Sequence, residues 1–511
     1  MECVIGVDIG TQGTKSVLID LEKGVLASAY RAYQPTTPKP LHAEQWPEVW
    51  EKAVEEVIKE VAESGYAEAE AIKAVAISSL YGGSGIPVDK KIKAIHPCLI
   101  WMDRRATKEV EWVKENIDLD HLYEVTGNFV DSYYGFTKIL WLKNNKPDVW
   151  KRIEYLLPPN AYVIYKLTGE LAIDYSSAGN IGGVFDIKQR RWSEDMLGQL
   201  GIPRRFFPER LVDSSEIVGQ LHAEGASRTG LKAGTRIIAG GVDAPVATLA
   251  AGAFEPGTHV AMVGTSMCWG FVTESTNLSK GLVSMPHVVN AKKYVYSFGG
   301  AITAGAVVNW FKEHLGGLEK EAARLTGLSV YEILDREAEK IPAGSDGIVM
   351  LPYFMGERNP IWDPYASGTI LGLNLTHSRG HLYRAFMEGV AYSLRHNMEE
   401  VVSQLDLKDE IILVGGAAKS KLWTKIFSDV TGYKVKIIKE EVEAPLGGAL
   451  LAALGAGLIK DPKALLGWFT FKNAETPDLQ AKKIYDRRFQ TYKEAYRSLK
   501  PTMRSMSKED A

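Results

Sequence analysis

The sequence predicts an α/β protein of two related domains, on three observations. Its 511 residues exceed the roughly 250–300 that one hydrophobic core supports. Short buried-type strands alternate with helical patterns along the chain. A strand–turn–strand unit at the N-terminus recurs at Thr258–Thr273, which suggests that the two halves are built alike.

Each element has its own signal. Cys3–Gly10 is apolar except for Asp8, and after the turn Thr11–Thr14 the segment Lys15–Asp20 resumes as a strand, so the opening reads as a β-hairpin. Trp46, Val49, Trp50, Ala53, Val54, Val57, Ile58 and Val61 recur at helical spacing, with Pro47 suited to a first turn. Ala71–Ser78 and Ala94–Trp101 read as buried strands, and the latter runs into Met102-Asp103-Arg104-Arg105. A mixed region, Ala106–Leu200, precedes Gly219–Leu221 and the strand Thr235–Gly240, which delivers Gly241-Val242-Asp243. Ala244–Pro256 is rich in small residues; Thr258–Val263, Gly264-Thr265-Ser266 and Met267–Thr273 then repeat strand, turn, strand. Further on come a helix at Ala304–His314, a loop from Pro342 to Gly372, a helix at His381–Leu405, a strand at Ile411–Val414 and a helix at Trp423–Val430. Tyr485, Phe489, Tyr492 and Tyr496 form an aromatic stripe expected to clip a terminal helix onto the body.

Composition excludes several function classes. With 45% hydrophobic and 24% charged residues the chain is an ordinary globular one. A net charge of −3 offers no basic field for nucleic acid or an anionic membrane, so any phosphate binding must be local. Met1 leads into Val4 and Ile5 without a basic segment or cleavage site, and the longest apolar runs, such as Val242–Phe254, fall short of the ~18 residues of a span. A soluble cytoplasmic protein with no nucleic-acid or membrane partner is expected. Cys3, Cys98 and Cys268 lie too far apart for a disulfide framework or zinc site, and His96, His259 and His287 show no ligand spacing.

The candidate chemistry sits at strand ends. Asp8-Ile9-Gly10-Thr11-Gln12-Gly13-Thr14-Lys15 places a carboxylate beside a turn of small and hydroxyl residues whose backbone N–H groups can converge on a phosphate, with Thr11 and Thr14 as further donors. It is not a Walker loop, because the required glycines would fall on Ile9 and Thr14. Asp243 precedes a second small-residue turn, Gly264-Thr265-Ser266. Two such carboxylates suit phosphoryl transfer: one orients Mg²⁺ through water, the other accepts the proton of an attacking hydroxyl. An esterase reading of Ser266 fails because Cys268 occupies the last glycine position of the nucleophile motif. Gly415-Gly416-Ala417-Ala418-Lys419 follows a buried strand and lets backbone approach a flat ligand. Trp101, Asp103 and Arg104 are the kinds of group a sugar site needs, although a surface ion-pair cluster would look the same.

Taken in order, DIGTQGTK at Asp8, HAEQWPEVW at His42, IWMDRRA at Ile100, GGVDAP at Gly240, GTSM at Gly264, LPYFMGERNP at Leu351, GTILGL at Gly368 and GGAAKS at Gly415 resemble the FGGY carbohydrate kinases over nearly the whole chain. That resemblance implies two actin-like (ribonuclease H-like) ATPase domains closing on a central cleft, 1–245 holding mainly the sugar and 246–511 mainly ATP. It implies Asp243 as general base and metal neighbour, and Asp8 as the residue placing Mg²⁺ through water. Gly10, Thr11, Gln12, Gly13, Thr14 and Lys15, with Gly264, Thr265 and Ser266, would cradle phosphates. Gly300, Gly305, Gly415, Gly416, Ala417 and Lys419 would flank the nucleotide, and Tyr81, Gly82, Trp101, Asp103 and Arg104 would meet the sugar or polyol.

The departures bear on substrate. Xylulose kinases commonly carry Gln-Met-His-Gly where this chain has Ser79-Leu80-Tyr81-Gly82, and the Arg-Glu pair of glycerol kinases is missing there. Gly135, near Lys138 and Trp141, stands where Pro, Ser or Thr is usual. A pentulose such as xylulose or ribulose is the expected substrate, and a homodimer is compatible with the resemblance. The alternatives are an actin-like or chaperone-like ATPase without a sugar, against which IWMDRRA argues, and a sugar-responsive regulator, for whose DNA-reading module the residues before the first strand leave no room.

Overall fold

The computed structural model describes residues 2–276, 278–438, 443–468 and 470–509. They form two compact units that are discontinuous in sequence: Met1–Pro256 with Val272–Ser297 and Val442–Trp468, and Gly257–Phe271 with Phe298–Glu441 and Phe469–Ala511.

The first unit is organised by a six-stranded sheet. Its strands are β1 (Cys3–Ile9), β2 (Gly13–Asp20), β3 (Gly24–Ala32), β4 (Ile72–Ser79), β5 (Ile217–Gln220) and β6 (Arg236–Ile238). In space they run β3-β2-β1-β4-β6-β5. The three at the N-terminus are antiparallel, β4 and β6 add in parallel, and β5 closes the edge antiparallel. The near-continuous apolar character of β1 and β4 follows from burial on both faces. Helix Pro47–Ala62 begins at its proline and buries Trp50, Val54, Val57, Ile58 and Val61, as its periodicity requires. They join Ile5, Val7, Val75 and Ile77 in one core. Helix Ala444–Gly455 also lies against β1, so closely that a Cβ at Gly6 would stand 1.8 Å from the Pro445 carbonyl oxygen; only glycine admits that approach.

The second unit repeats the pattern. β7 (His259–Val263) pairs antiparallel with β8 (Met267–Thr273) and in parallel with β9 (Glu410–Val414); β10 (Lys434–Ile438) adds in parallel and β11 (Phe471–Glu475) antiparallel. The succession antiparallel, parallel, parallel, antiparallel is that of β2-β1-β4-β6-β5, so the recurrence seen in the sequence is a repeat of topology. Helix Arg379–Glu399 buries Tyr383, Phe386, Met387 and Val390. Along helix Leu479–Glu509 the aromatic stripe is buried and hydrogen-bonded: Tyr485 donates to Glu388 Oε1 (2.9 Å), Tyr492 shares a 2.6 Å bond with Tyr353, and Tyr496 donates to Asp363 Oδ2 (2.7 Å).

Two expectations change. Ala94–Trp101 keeps only the strand Cys98–Leu99, because Pro97 removes a donor and the His96 ring bonds the Pro97 carbonyl at 2.8 Å. The expected loop Pro342–Gly372 contains a small antiparallel ladder, Val349–Leu351 with Thr369–Leu371.

Candidate active site

The strand order brings two acids together in the first unit. Asp8, near the end of β1, lies in register with Ser78 of β4, whose hydroxyl donates to Asp8 Oδ1 at 2.8 Å. On the other side of β4, Ser79 N–H donates to the Gly241 carbonyl (2.9 Å) and Ser79 bridges to Val242. Asp243 therefore opens helix Asp243–Ala250 beside the same strand end, with its Oδ1 accepting from Ala244 N–H at 2.7 Å. Burial pushes both carboxyls above the usual aspartate range, and the negative charge of Asp8 raises Asp243 further. The helix N-terminus favours the ionised form of Asp243, but burial and the like charge outweigh it. The Asp243 carboxyl therefore titrates nearer neutrality than a free aspartate.

The turn after Asp8 is closed by Gly10 N–H to the Gly13 carbonyl (2.9 Å) and braced by two tyrosines, Tyr33 donating to the Gly10 carbonyl (2.8 Å) and Tyr30 to that of Gln12 (3.0 Å). Asp8, Gly10, Gln12, Gly13 and Lys15 line a cavity of about 260 Å³ with Tyr30, Glu443 and Pro445. Lys15 is ion-paired with Glu443. Thr11 accepts the Trp101 indole N–H at 2.9 Å. Thr14 differs from expectation: its side chain is buried and its hydroxyl meets Tyr33 at 3.0 Å, so that donor is used inside the hairpin.

Part of the expected sugar set gathers around Lys138. That buried side chain, on helix Gly135–Asn145, donates to the carbonyls of Gly82 (2.8 Å), Ser132 (2.8 Å) and Tyr133 (2.5 Å). Burial and Arg104 pull its pKa down to about 7, a drop that Asp103 and Asp131 only partly offset. Gly82 is wedged between Trp101 and the Tyr133 ring, and Arg104 pairs with Asp131 and reaches Ser132. Asp103 and Tyr81 differ from expectation. Asp103 is fully buried, its oxygens taken by Ala43 N–H (2.7 Å) and by the backbone and guanidinium of Arg105. The fold consumes it before a ligand can reach it. Tyr81 is buried as well, its hydroxyl unpartnered near Cys98 and Asp174. Lys138, Asp131 and Tyr133 were missed; the one sequence signal was a lysine inside the apolar helical run Phe136–Leu142.

In the second unit a cavity of about 660 Å³ is lined by the expected Gly264, Thr265, Gly305, Gly416, Ala417 and Lys419. Its walls add Val308, Tyr383 and Trp423, with the polar Asn309 and Asp335. The Gly264 and Thr265 carbonyls accept from Gly305 N–H (2.8 Å) and Ala306 N–H (3.1 Å), which ties the turn to the start of helix Gly305–Leu315. Ser420 caps helix Lys421–Thr431 by accepting from Trp423 N–H (3.0 Å) and donates to Asp335 Oδ2 (2.7 Å). A mostly apolar slot with a few fixed polar groups suits a flat heterocycle. Ser266 is exposed and, with Gly415, lies outside the lining. Gly300 is buried within a strand, its N–H held by Asn359 Oδ1 at 3.1 Å, and it too lines no part of the slot.

Comparison with known families matches this two-unit design. The N-terminal domain model of the FGGY family of carbohydrate kinases matches residues 3–250 and the C-terminal domain model residues 259–456. This chain belongs to the FGGY family of carbohydrate kinases. It is 29% identical over 501 residues to the xylulose kinase of Bacillus subtilis strain 168, covering 97% of each chain. The crystal structure of xylulose kinase from Rhodospirillum rubrum superposes with a TM-score of 0.87 at 27% identity, over 98% of this chain and 100% of that one. That of gluconate kinase from Lactobacillus acidophilus gives 0.89 at 25% identity over 98% of both. The FGGY chain thus has the two-domain actin-like ATPase fold and is a sugar kinase. The alternatives of a partner-coupled ATPase or a regulator are set aside. No helix among the described residues of this FGGY kinase is long and apolar enough to cross a membrane.

Proposed function

We propose that this kinase transfers the γ-phosphoryl group of ATP to a hydroxyl of a small ketose or polyol, a pentulose such as xylulose or ribulose, with Asp243 as general base. The observation that carries the assignment is the acid pair: Asp243 and Asp8 flank the end of β4, with the Asp243 pKa raised by burial and by the charge of Asp8. The pentulose rests on the xylulose kinases among the relatives. Tyr81 in place of their usual histidine turns its hydroxyl inward, which leaves Gly82, Trp101, Arg104 and Tyr133 to meet the sugar.

The first unit supplies the acceptor side. Asp243 takes the proton of the attacking hydroxyl, and its pKa, raised to about 7, makes it a stronger base than free aspartate that is partly ionised at neutral pH. The turn Gly10–Gly13 and Lys15 face phosphate oxygens. In the second unit, the slot lined by Gly264, Thr265, Ala417, Val308, Tyr383 and Trp423 takes the nucleotide, with the base among the last four. Asp8 and Asp243 fit Mg²⁺, because two crowded carboxylates gain from a cation and that ion prefers one or two carboxylates plus water to a protein cage. A Mg²⁺ held by these two carboxylates would supply positive charge to offset that of the phosphoryl group being transferred. We place the enzyme in the cytoplasm, where ATP is available.

The test is an ADP-release assay with ATP and magnesium against D-xylulose, D- and L-ribulose, erythritol, glycerol and gluconate. A pentulose should give the highest kcat/KM. Asp243→Ala should lower kcat by ~10²–10⁴, as loss of a general base does, with the sugar KM little changed; full turnover in that variant would remove Asp243 from the chemistry.

A further inference from the structure

The loop that delivers Asp243 is held by buried side chains that nothing above uses. Asp174 accepts three hydrogen bonds: from the Ser176 hydroxyl, from Ser177 N–H at 2.9 Å and from Asn160 Nδ2 at 3.0 Å. With its proton committed to Asp174, the Ser176 oxygen accepts the N–H of Val242, the residue before Asp243, at 3.0 Å. Asn160 Nδ2 also donates to the Ala239 carbonyl at 3.2 Å, and its backbone N–H and side-chain oxygen both lie 3.3 Å from the Ser79 hydroxyl. Ser79 N–H, as described, holds the Gly241 carbonyl. Three backbone atoms of Ala239–Val242 are thus pinned from three directions. Between them Gly240 has φ 65° and presses so close to β4 that a Cβ would lie 2.0 Å from the Ile77 carbonyl oxygen.

Asp174, Ser176, Asn160 and Ser79 are all essentially solvent-free. A buried carboxylate is a costly way to join two loops, since apolar packing would do so without the desolvation penalty. What it supplies instead is direction. It fixes which way the Ser176 hydroxyl and the Asn160 amide point, and both of those groups end on the backbone that aims Asp243. Accordingly, we propose that Asp174, Ser176 and Asn160 are positioning residues for phosphoryl transfer, which act by setting the backbone at Ala239–Val242 and so the direction of the Asp243 carboxylate. This rests on the reading of Asp243 as general base.

A double-mutant cycle tests it. Ser176→Ala and Asp174→Asn, the latter isosteric, are each made in the wild-type and Asp243→Ala backgrounds. The kcat and the KM for ATP are then measured with the acceptor that the wild-type enzyme turns over fastest. Each substitution should lower kcat by ~10–100-fold in the wild-type background, the scale of a displacement of about 1 Å, and leave the KM for ATP within about twofold. In the Asp243→Ala background the same substitution should cost less than about twofold, because the group being aimed is gone. An unchanged kcat in both single variants, or an equal fold-loss in both backgrounds, overturns the proposal, as does failure of both variants to yield folded protein, which would assign the network to stability. If only one variant folds, the cycle on that one decides. Wild-type turnover in Asp243→Ala itself would instead remove the base assignment, and the network's role with it.

Discussion

Replacing Lys138 by methionine keeps most of the side-chain volume and removes one buried ammonium that gathers three carbonyls, those of Gly82, Ser132 and Tyr133. Hydrogen bonds from a charged donor contribute about 1.5–3 kcal/mol each, so three would sum to several. Methionine also removes the cost of burying the charge, and a net loss on the order of 3 kcal/mol is what remains. At ~2 °C per kcal/mol, the lower end for a large cooperative unit, the melting temperature should fall by about 6 °C. The three carbonyls belong to the segments that hold Gly82 against Trp101 and Tyr133. Their release should therefore loosen the proposed sugar site and raise the KM for the sugar by about tenfold, equivalent to ~1.4 kcal/mol, with the KM for ATP unchanged. Differential scanning calorimetry and steady-state kinetics with either substrate varied give all three numbers. A variant that melts with the wild type and keeps its sugar KM would refute the clamp.

Three further outcomes are expected. Asp243 has a folded-state pKa above its unfolded value, so the native state binds the extra proton and stability falls as pH rises from the unfolded value through the folded one. Asp243→Asn should accordingly melt higher than wild type at pH 8, with the gap closing towards pH 4; a lower melting temperature at pH 8 would contradict the burial argument. Asp103→Ala strips the nearly solvent-free Arg105 of one carboxylate, with Glu44 (2.7 Å) as its remaining partner, and should cost up to ~3–5 kcal/mol, the scale for breaking a buried pair. A denaturant titration showing native stability, together with a raised sugar KM, would make Asp103 a sugar contact after all. Ser420→Ala removes a helix cap worth ~1 kcal/mol and the donor to Asp335; the KM for ATP should rise several-fold and that for sugar stay constant, and an unaltered ATP KM would detach this cap from the nucleotide slot.

How much was legible in the sequence varies with the kind of residue. Asp8 and Asp243 stand at strand ends followed by small residues, a pattern that depends on neighbours along the chain, so both can be proposed from the sequence. The turn glycines Gly264 and Gly416, named for the same reason, do line the second-unit slot, whereas Gly415 does not. Asp103 was named for a sugar contact because a charged residue after an aromatic looks available; that both its oxygens are spent on Ala43 and Arg105 depends on a segment some sixty residues away. Asp335, Tyr383 and Trp423 come from three different helices and share a slot only once these have packed.

The order of strands and turns, and the repetition of that order in two halves, was determined by the sequence by itself, because hydrophobic period and turn chemistry are local properties. The tertiary structure alone decided which polar groups remain free. It set β4 between Asp8 and Asp243 and returned Val272–Ser297 and Val442–Trp468 to the first unit. It turned Thr14 and Tyr81 inward and closed Asp174, Ser176 and Asn160 into a network behind the Asp243 loop. The physical reason is that burial and hydrogen-bond satisfaction are properties of an enclosed volume, and a volume is enclosed only by segments distant along the chain.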